Sequence, residues 1–255
     1  MVHPDAKVQL KALYDKETEL NAKWSRDIYE TRKQHYEDNK AFYQHRAQLA
    51  TGWTGDTQMH QTPIADFWLT ALRKEHETRK LVTKPDLGPL ASLIDIRVEW
   101  LEGFDYVLEF HFAPNEYFTN RVMRKAFYYE KLAEPAAEPS PLETRGDRIY
   151  WKKNHILQAE CHARVGTKSF FAFASRSLAY GDAQTSEDEK VEDARITEDF
   201  NMGEAVRDCV QPHAMGYHLK VFGLEGDEEG DEDEDEIVDN EEEEEGEDGD
   251  YDMEW

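Results

Sequence analysis

Residues 8–49 contain neither Pro nor Gly, and Leu10, Leu13, Leu20, Trp24, Ile28, Tyr36, Phe42 and Leu49 recur at spacings compatible with one helical stripe. The pattern predicts a single helix on the order of 60 Å long at about 1.5 Å per residue, more than a compact domain of this size can cover. Glu17 and Lys33 fall near the seam, and bulky aromatics replace the branched aliphatics of a strict zipper. These eight residues therefore point to an antiparallel or irregular homodimer interface. The alternative is a helix folded back on its own domain.

Residues 52–55 end this helix. Thr62-Pro63 reads as an N-cap followed by Pro at the first helical position, opening a helix over residues 64–82 with Phe67, Trp68, Ala71 and Leu72 on one face. Pro85, Gly88 and Pro89 then break the pattern. Ile94, Ile96, Val98 and Trp100 alternate with Asp95, Arg97 and Glu99, and Phe104, Tyr106, Leu108, Phe110 and Phe112 alternate likewise beyond Gly103, predicting two hairpin-linked strands. A third strand is expected at residues 121–129, a Pro-rich loop at 134–141 and a further strand pair within 148–163. Helical patterning returns over residues 194–210, where Pro212 is expected to stop it. The fold class is α+β: a long N-terminal helix (residues 1–51), an antiparallel sheet covered by helices with one face buried (52–224), and an acidic tail (225–255).

Charge sharpens that division. The 255 residues carry 56 Asp and Glu against 30 Lys and Arg, a net of −26. Residues 225–255 hold 21 of the acids and no Lys or Arg, which leaves 35 acids against 30 bases, a net of −5, before them. Like charge and few aliphatics leave the tail nothing to offset chain entropy, so disorder is expected there. The body has 12 Phe and 12 Tyr within the chain's total, enough aromatic bulk for a sizeable core. Two cysteines, Cys161 and Cys209, lie outside any CxxC pair and give no basis for a disulfide scaffold or a thiolate zinc site. No stretch approaches the ~18 apolar residues of a membrane span, and the N-terminus lacks an apolar signal region, so a soluble, intracellular protein is expected. The charge disfavours direct contact with DNA or anionic membranes and favours a polycationic partner.

Phosphate-cradling, dinucleotide, nucleophile-elbow, HExxH and EF-hand motifs are all missing from the sequence, so no catalytic residue, metal site or cofactor is expected. His111, beside Glu109 on the strand face opposite the aromatics, reads as a solvated or hydrogen-bonded histidine rather than a general base. Cys161-His162 lacks two further ligands at any recognisable spacing. The acidic runs would hold calcium only loosely, because nothing preorganises an oxygen shell.

The order of elements resembles the nucleosome assembly protein family, histone chaperones that include SET-type proteins. Residues 108–120 (LEFHFAPNEYFTN) look like the family's most characteristic run, residues 63–72 (PIADFWLTAL) like the first helix of its globular domain, and residues 90–98 (LASLIDIRV) like its entry into the sheet. Trp151-Lys152-Lys153, Ser169–Phe173 (SFFAF), Asp199–Gly203 (DFNMG), Pro212 and Tyr217 follow in the family's order. The resemblance implies an earmuff-shaped domain, a homodimer through the long helix, and a non-enzymatic protein of nucleus and cytoplasm. Such a protein binds core histones, shields them from DNA and promotes nucleosome assembly. The histone-contact candidates are Glu187, Asp188, Glu189, Glu192, Asp193, Glu198 and Asp199, with Asp231, Glu232, Asp233, Glu234, Asp235 and Glu236 and Glu241, Glu242, Glu243, Glu244 and Glu245 in the tail. Residues 154–168 are short and poor in bases where the assembly-protein branch carries a Lys-rich hairpin, which is more like the SET-type branch, and no other basic cluster stands out. The alternative reading is an acidic inhibitor or adaptor of a non-histone partner such as a phosphatase.

Overall fold

The computed structural model describes residues 4–54, 57–58, 64–130, 139–153, 168–179 and 186–221. The expected single helix is two: α1 (Pro4–Asp38) and α2 (Lys40–Thr51). Asn39 interrupts them because both its backbone N–H and its Nδ2 donate to the His35 carbonyl, at 3.1 and 2.8 Å. Tyr43 N–H still donates to the Asn39 carbonyl, so the helical path continues. Gly52, at φ +67°, takes the left-handed conformation that ends α2, where a side chain would be strained. A two-residue ribbon, β1 (Trp53–Thr54) with β2 (Thr57–Gln58), follows.

The start expected at Thr62-Pro63 lies outside the described residues, and the helix expected over 64–82 is shorter. It runs as α3 (Phe67–Lys74), followed by a 3₁₀ turn, Thr78–Leu81. The break at Glu75 is chemical: its carboxylate accepts the N–H groups of Glu77 and Thr78 at 3.0 and 2.6 Å, while Thr78 Oγ1 donates to the Leu72 carbonyl at 2.7 Å. The Pro85–Pro89 stretch read as a breaker forms α4 (Lys84–Leu90), whose start is set by a Thr83–Asp86 capping box with Pro in its first turn.

The sheet is a five-stranded antiparallel meander: β3 (Leu93–Trp100), β4 (Tyr106–Phe112), β5 (Val122–Tyr129), β6 (Pro141–Gly146) and β7 (Leu178–Ala179). Its inner face carries Ile96, Val98, Leu108, Phe110, Phe127 and their neighbours, and α5 (Phe170–Ser175) packs on it, Phe110 meeting Phe170 edge to face at 5.0 Å. The strand pair expected within 148–163 is not where the sheet closes. β6 lies earlier, Trp151 makes only an isolated bridge to Phe118, and residues 154–167 are outside the described set. The last layer is α6 (Ser186–Ala205), a π turn (Val206–Val210) and α7 (Gln211–Val221). Pro212 therefore does not stop the helix. Gln211 N–H donates five residues back to Val206, and this wider turn absorbs the register change at a residue that has no N–H.

The second half of α1 docks along the free edge of β3. Tyr36 Oη caps the edge N–H of Val98 at 2.9 Å, Tyr29 Oη donates to the Asp105 carbonyl at 2.8 Å, and Arg32 pairs with Asp208. Tyr36, expected in a dimer interface, is thus a core residue of its own domain, 6% exposed. Helix α6 is held by a close approach at Gly203, where an added Cβ would lie 2.3 Å from Phe127 and 2.7 Å from Tyr106 Oη. Gly203→Ala is expected to cost about 1–3 kcal/mol through overpacking, to be read from the urea midpoint at unchanged slope. A midpoint at or above that of the unsubstituted protein would show that the helix shifts freely.

Candidate functional site

Helix α6 carries most of the acidic candidates of the body, and the fold sorts them. Asp193 and Glu198 are exposed and line an open cleft of about 710 Å³ together with Glu77, Lys80, Lys168, Ala194, Thr197, Asn201 and Met202. Glu77 comes from the 3₁₀ region more than a hundred residues earlier in the chain, and no sequence pattern links it to α6. Residues 187, 188, 189 and 192 lie on the α6 backbone, and the tail candidates, residues 231–236 and 241–245, are outside the described set.

Asp199 is a correction. It is fully buried, with Lys125 Nζ at 2.5 Å and Arg176 Nη2 at 2.6 Å, and Thr144 Oγ1 donates to it at 2.8 Å. Lys125 is equally buried on the inner face of β5, and its Nζ also donates to the Arg176 carbonyl at 2.5 Å. Burial pushes the Lys125 ammonium down to about 8, against the pull of Asp199. Asp199 cannot meet a partner protein in this fold. It ties α6 to the sheet.

The outer sheet face offers a row of charges, Arg97–Glu109–Arg124, set by the pairing of Arg97 with Glu109 and of Glu109 with Arg124. Glu109 accepts from Arg124 Nε at 2.8 Å and contacts His111 Nε2 at 3.0 Å. Burial, then the Arg97 charge, holds His111 below its usual range, so it stays neutral and hydrogen-bonded near pH 7. Among the described residues no group of three or more His, Cys, Asp or Glu is placed to hold a metal ion, and no helix is long and apolar enough to cross a membrane. Cys209 is half-buried, and burial raises its thiol pKa.

The apolar stripe of α1 divides at about Ile28. Leu10, Leu13, Leu20 and Trp24 are 54–66% exposed, Ile28 is half-buried, and Phe42 and Leu49 on α2 are exposed. A continuous exposed apolar face of that length on one helix is uncommon for a surface that meets only water.

Residues 6–221 match the family model described as nucleosome assembly protein (NAP). A putative nucleosome assembly protein of Schizosaccharomyces pombe is 31% identical over 177 residues, covering 62% of this chain and 46% of its own length. Nucleosome assembly protein 1-like 4 of Mus musculus is 32% identical over 186 residues, covering 63% of this chain and 48% of its own. The chain thus spans about half the length of the curated relatives it matches. Among solved structures, nucleosome assembly protein 1 from Plasmodium knowlesi superposes with a TM-score of 0.59 at 24% identity, over 87% of this chain and 99% of that one, a likeness of fold.

Proposed function

The chain belongs to the nucleosome assembly protein family, and from that premise we propose that it is a histone chaperone that holds core histones on acidic surfaces of α6 and the tail, keeps them from non-specific contact with DNA, and passes them on for nucleosome assembly. The observation that carries the reading is the α6 cleft: Asp193, Glu198 and Glu77 converge from separate elements on an open groove whose buried floor residue, Met202, is apolar. Carboxylates around an apolar floor suit Lys and Arg side chains, which lay an aliphatic stem on one and place a charged head near the other. Each exposed pair contributes only about 0–1 kcal/mol, so affinity comes from number, and the 21 acids of residues 225–255 supply it by tethering. A polyanion of this kind shields histones yet yields to the denser phosphate backbone when a proper nucleosome forms.

The protein acts as a homodimer through the exposed first half of α1, with Leu10, Leu13, Leu20 and Trp24 facing a second copy. No step of this function calls for catalysis, and the protein works in the nucleus and cytoplasm, where histones are made and used.

Reversing two charges tests the cleft. Asp193→Lys with Glu198→Lys is expected to weaken binding of core histone complexes roughly three- to tenfold at 0.1 M salt, with thermal stability unchanged, since both side chains are exposed. A fluorescence titration checks it. Undiminished affinity would move the histone surface off α6.

A further inference from the structure

The fold exposes a basic surface that the linear sequence conceals. Residues 73–86 hold five Lys or Arg and three acids, a net of only +2. The structure turns two of those acids inward. Glu75 is 7% exposed and spends its carboxylate on the backbone N–H groups of Glu77 and Thr78. Asp86 is fully buried, accepting from Ser169 Oγ at 2.8 Å and from Thr83 N and Oγ1 at 2.9 and 2.6 Å. Arg73, Lys74, Arg79, Lys80 and Lys84 all stay exposed, with His76 among them, and Glu77, bonded to Lys80 and His76, is the one acid left beside them. Five cations then face a single carboxylate at the surface, a net of +4 in a chain whose total is −26.

We propose that this patch is the docking surface of the chain's own acidic tail, residues 225–255. Three observations select that occupant. The first is charge: the tail carries 21 acids and no base. The second is position. Helix α7 packs along α3, with His218 against Phe67 at the first residue of α3, ring centroids 5.4 Å apart. The chain therefore leaves the described structure about one α3 length, roughly 12 Å for eight residues, from Arg73 and Lys74 at the other end. Even a coiled stretch of 20 residues spans about 25 Å, enough to bring residues 231–245 onto the patch. The third is tethering, which gives the tail an effective concentration in the mM range that a free polyanion does not reach. The contact is made of exposed ion pairs, so it is weak one by one, salt-sensitive and displaceable.

Lys80 lines both the patch and the α6 cleft. A docked tail accordingly lies beside the cleft, and a basic cargo that takes the tail must strip it from the patch, which sets a threshold against weak cations. That consequence rests on the proposed histone-binding role, whereas the docking itself does not.

Zero-length carbodiimide cross-linking of the full chain, without histones, tests it: the reagent joins Lys Nζ to carboxylates already in contact. Mixing labelled and unlabelled protein separates links within a chain from links between chains. At 50 mM salt, tail carboxylates are expected to join Lys74, Lys80 and Lys84 several-fold more often than Lys7, Lys11, Lys16 or Lys40. The links should be mainly within one chain and largely lost at 0.5 M salt. Arg79→Glu leaves all three reporter lysines in place and is expected to cut their yield at least threefold, with an unchanged circular dichroism spectrum confirming the fold. Links spread evenly over exposed lysines, or indifferent to Arg79→Glu, would overturn the proposal. So would a short DNA duplex that binds the full chain at the same salt through these lysines while the tail remains unlinked, because the patch would then be a nucleic-acid surface.

Discussion

Replacing Asp199 with Ala is expected to lower the unfolding free energy by about 3–5 kcal/mol, the usual cost of removing one partner from a buried ion pair. The mechanism is the charge left behind. Lys125 is fully buried and has, besides Asp199, the Arg176 carbonyl as its acceptor. Without the carboxylate its ammonium must lose a proton or draw in water, and burial already holds it down to about 8. Arg176 retains a route to solvent, its side chain being 31% exposed, so most of the penalty falls on Lys125. For a chain of this size the melting temperature should drop by roughly 6–20 °C. A second substitution separates lost attraction from stranded charge: adding Lys125→Met to Asp199→Ala removes the orphan and should recover a substantial part of the loss, a non-additivity that a double-mutant cycle in urea measures directly. A loss under 1 kcal/mol for Asp199→Ala alone would show that the α6–sheet junction is held by its apolar contacts, Phe200 against Phe127 and Tyr129, without the ion pair.

The second large effect concerns assembly. Leu13, Leu20 and Trp24 changed together to Asp should leave the domain folded, because these side chains are 54–66% exposed within one chain, yet convert a dimer to a monomer. In a two-fold interface each substitution counts twice, so six apolar side chains are lost from it. At about 1.5–3 kcal/mol of burial apiece the dissociation constant should rise by several orders of magnitude. Light scattering at micromolar concentration reads the outcome. A dimer that persists would place the interface elsewhere and leave the first half of α1 for another partner.

How much of this was legible beforehand depended on whether polarity alone marked the position. The alternation in β3 and β4 placed both strands nearly to the residue, since each buries one apolar face. β6 carried no such signal: Leu142 is 38% exposed, and the residue it buries completely is Thr144, opposite the charged inner layer of Lys125 and Asp199. The same cluster explains why Asp199 read as one more surface acid. Its partners come from β5, β6 and the segment after α5, and nothing local distinguishes it from Glu198 beside it. The run DFNMG marked the family resemblance, and the structure supplies its physical content. Asp199 is ion-paired, Phe200 packs on Tyr129 at 4.9 Å, Met202 is buried, and Gly203 leaves no room for a Cβ. Tyr36 was misplaced because a helical period gives the stripe but not which neighbour covers it. The own-domain and dimer readings of the long helix divide between its halves, the second docked on β3 and the first exposed. Glu75 and Asp86 illustrate the limit most clearly: only the fold reveals that their charges turn inward and a basic surface remains.

The central claim, a histone chaperone acting through acidic surfaces, is tested most directly by titrating the full chain with purified core histone complexes at 0.1–0.5 M salt, in the presence and absence of competing DNA. The account predicts tight binding at the low end that weakens steadily as salt shortens the screening length from about 10 Å, and protection of the histones from aggregating with DNA. Failure to bind histones at 0.1 M salt, or binding no tighter than that of an unstructured polylysine of equal charge, would contradict it.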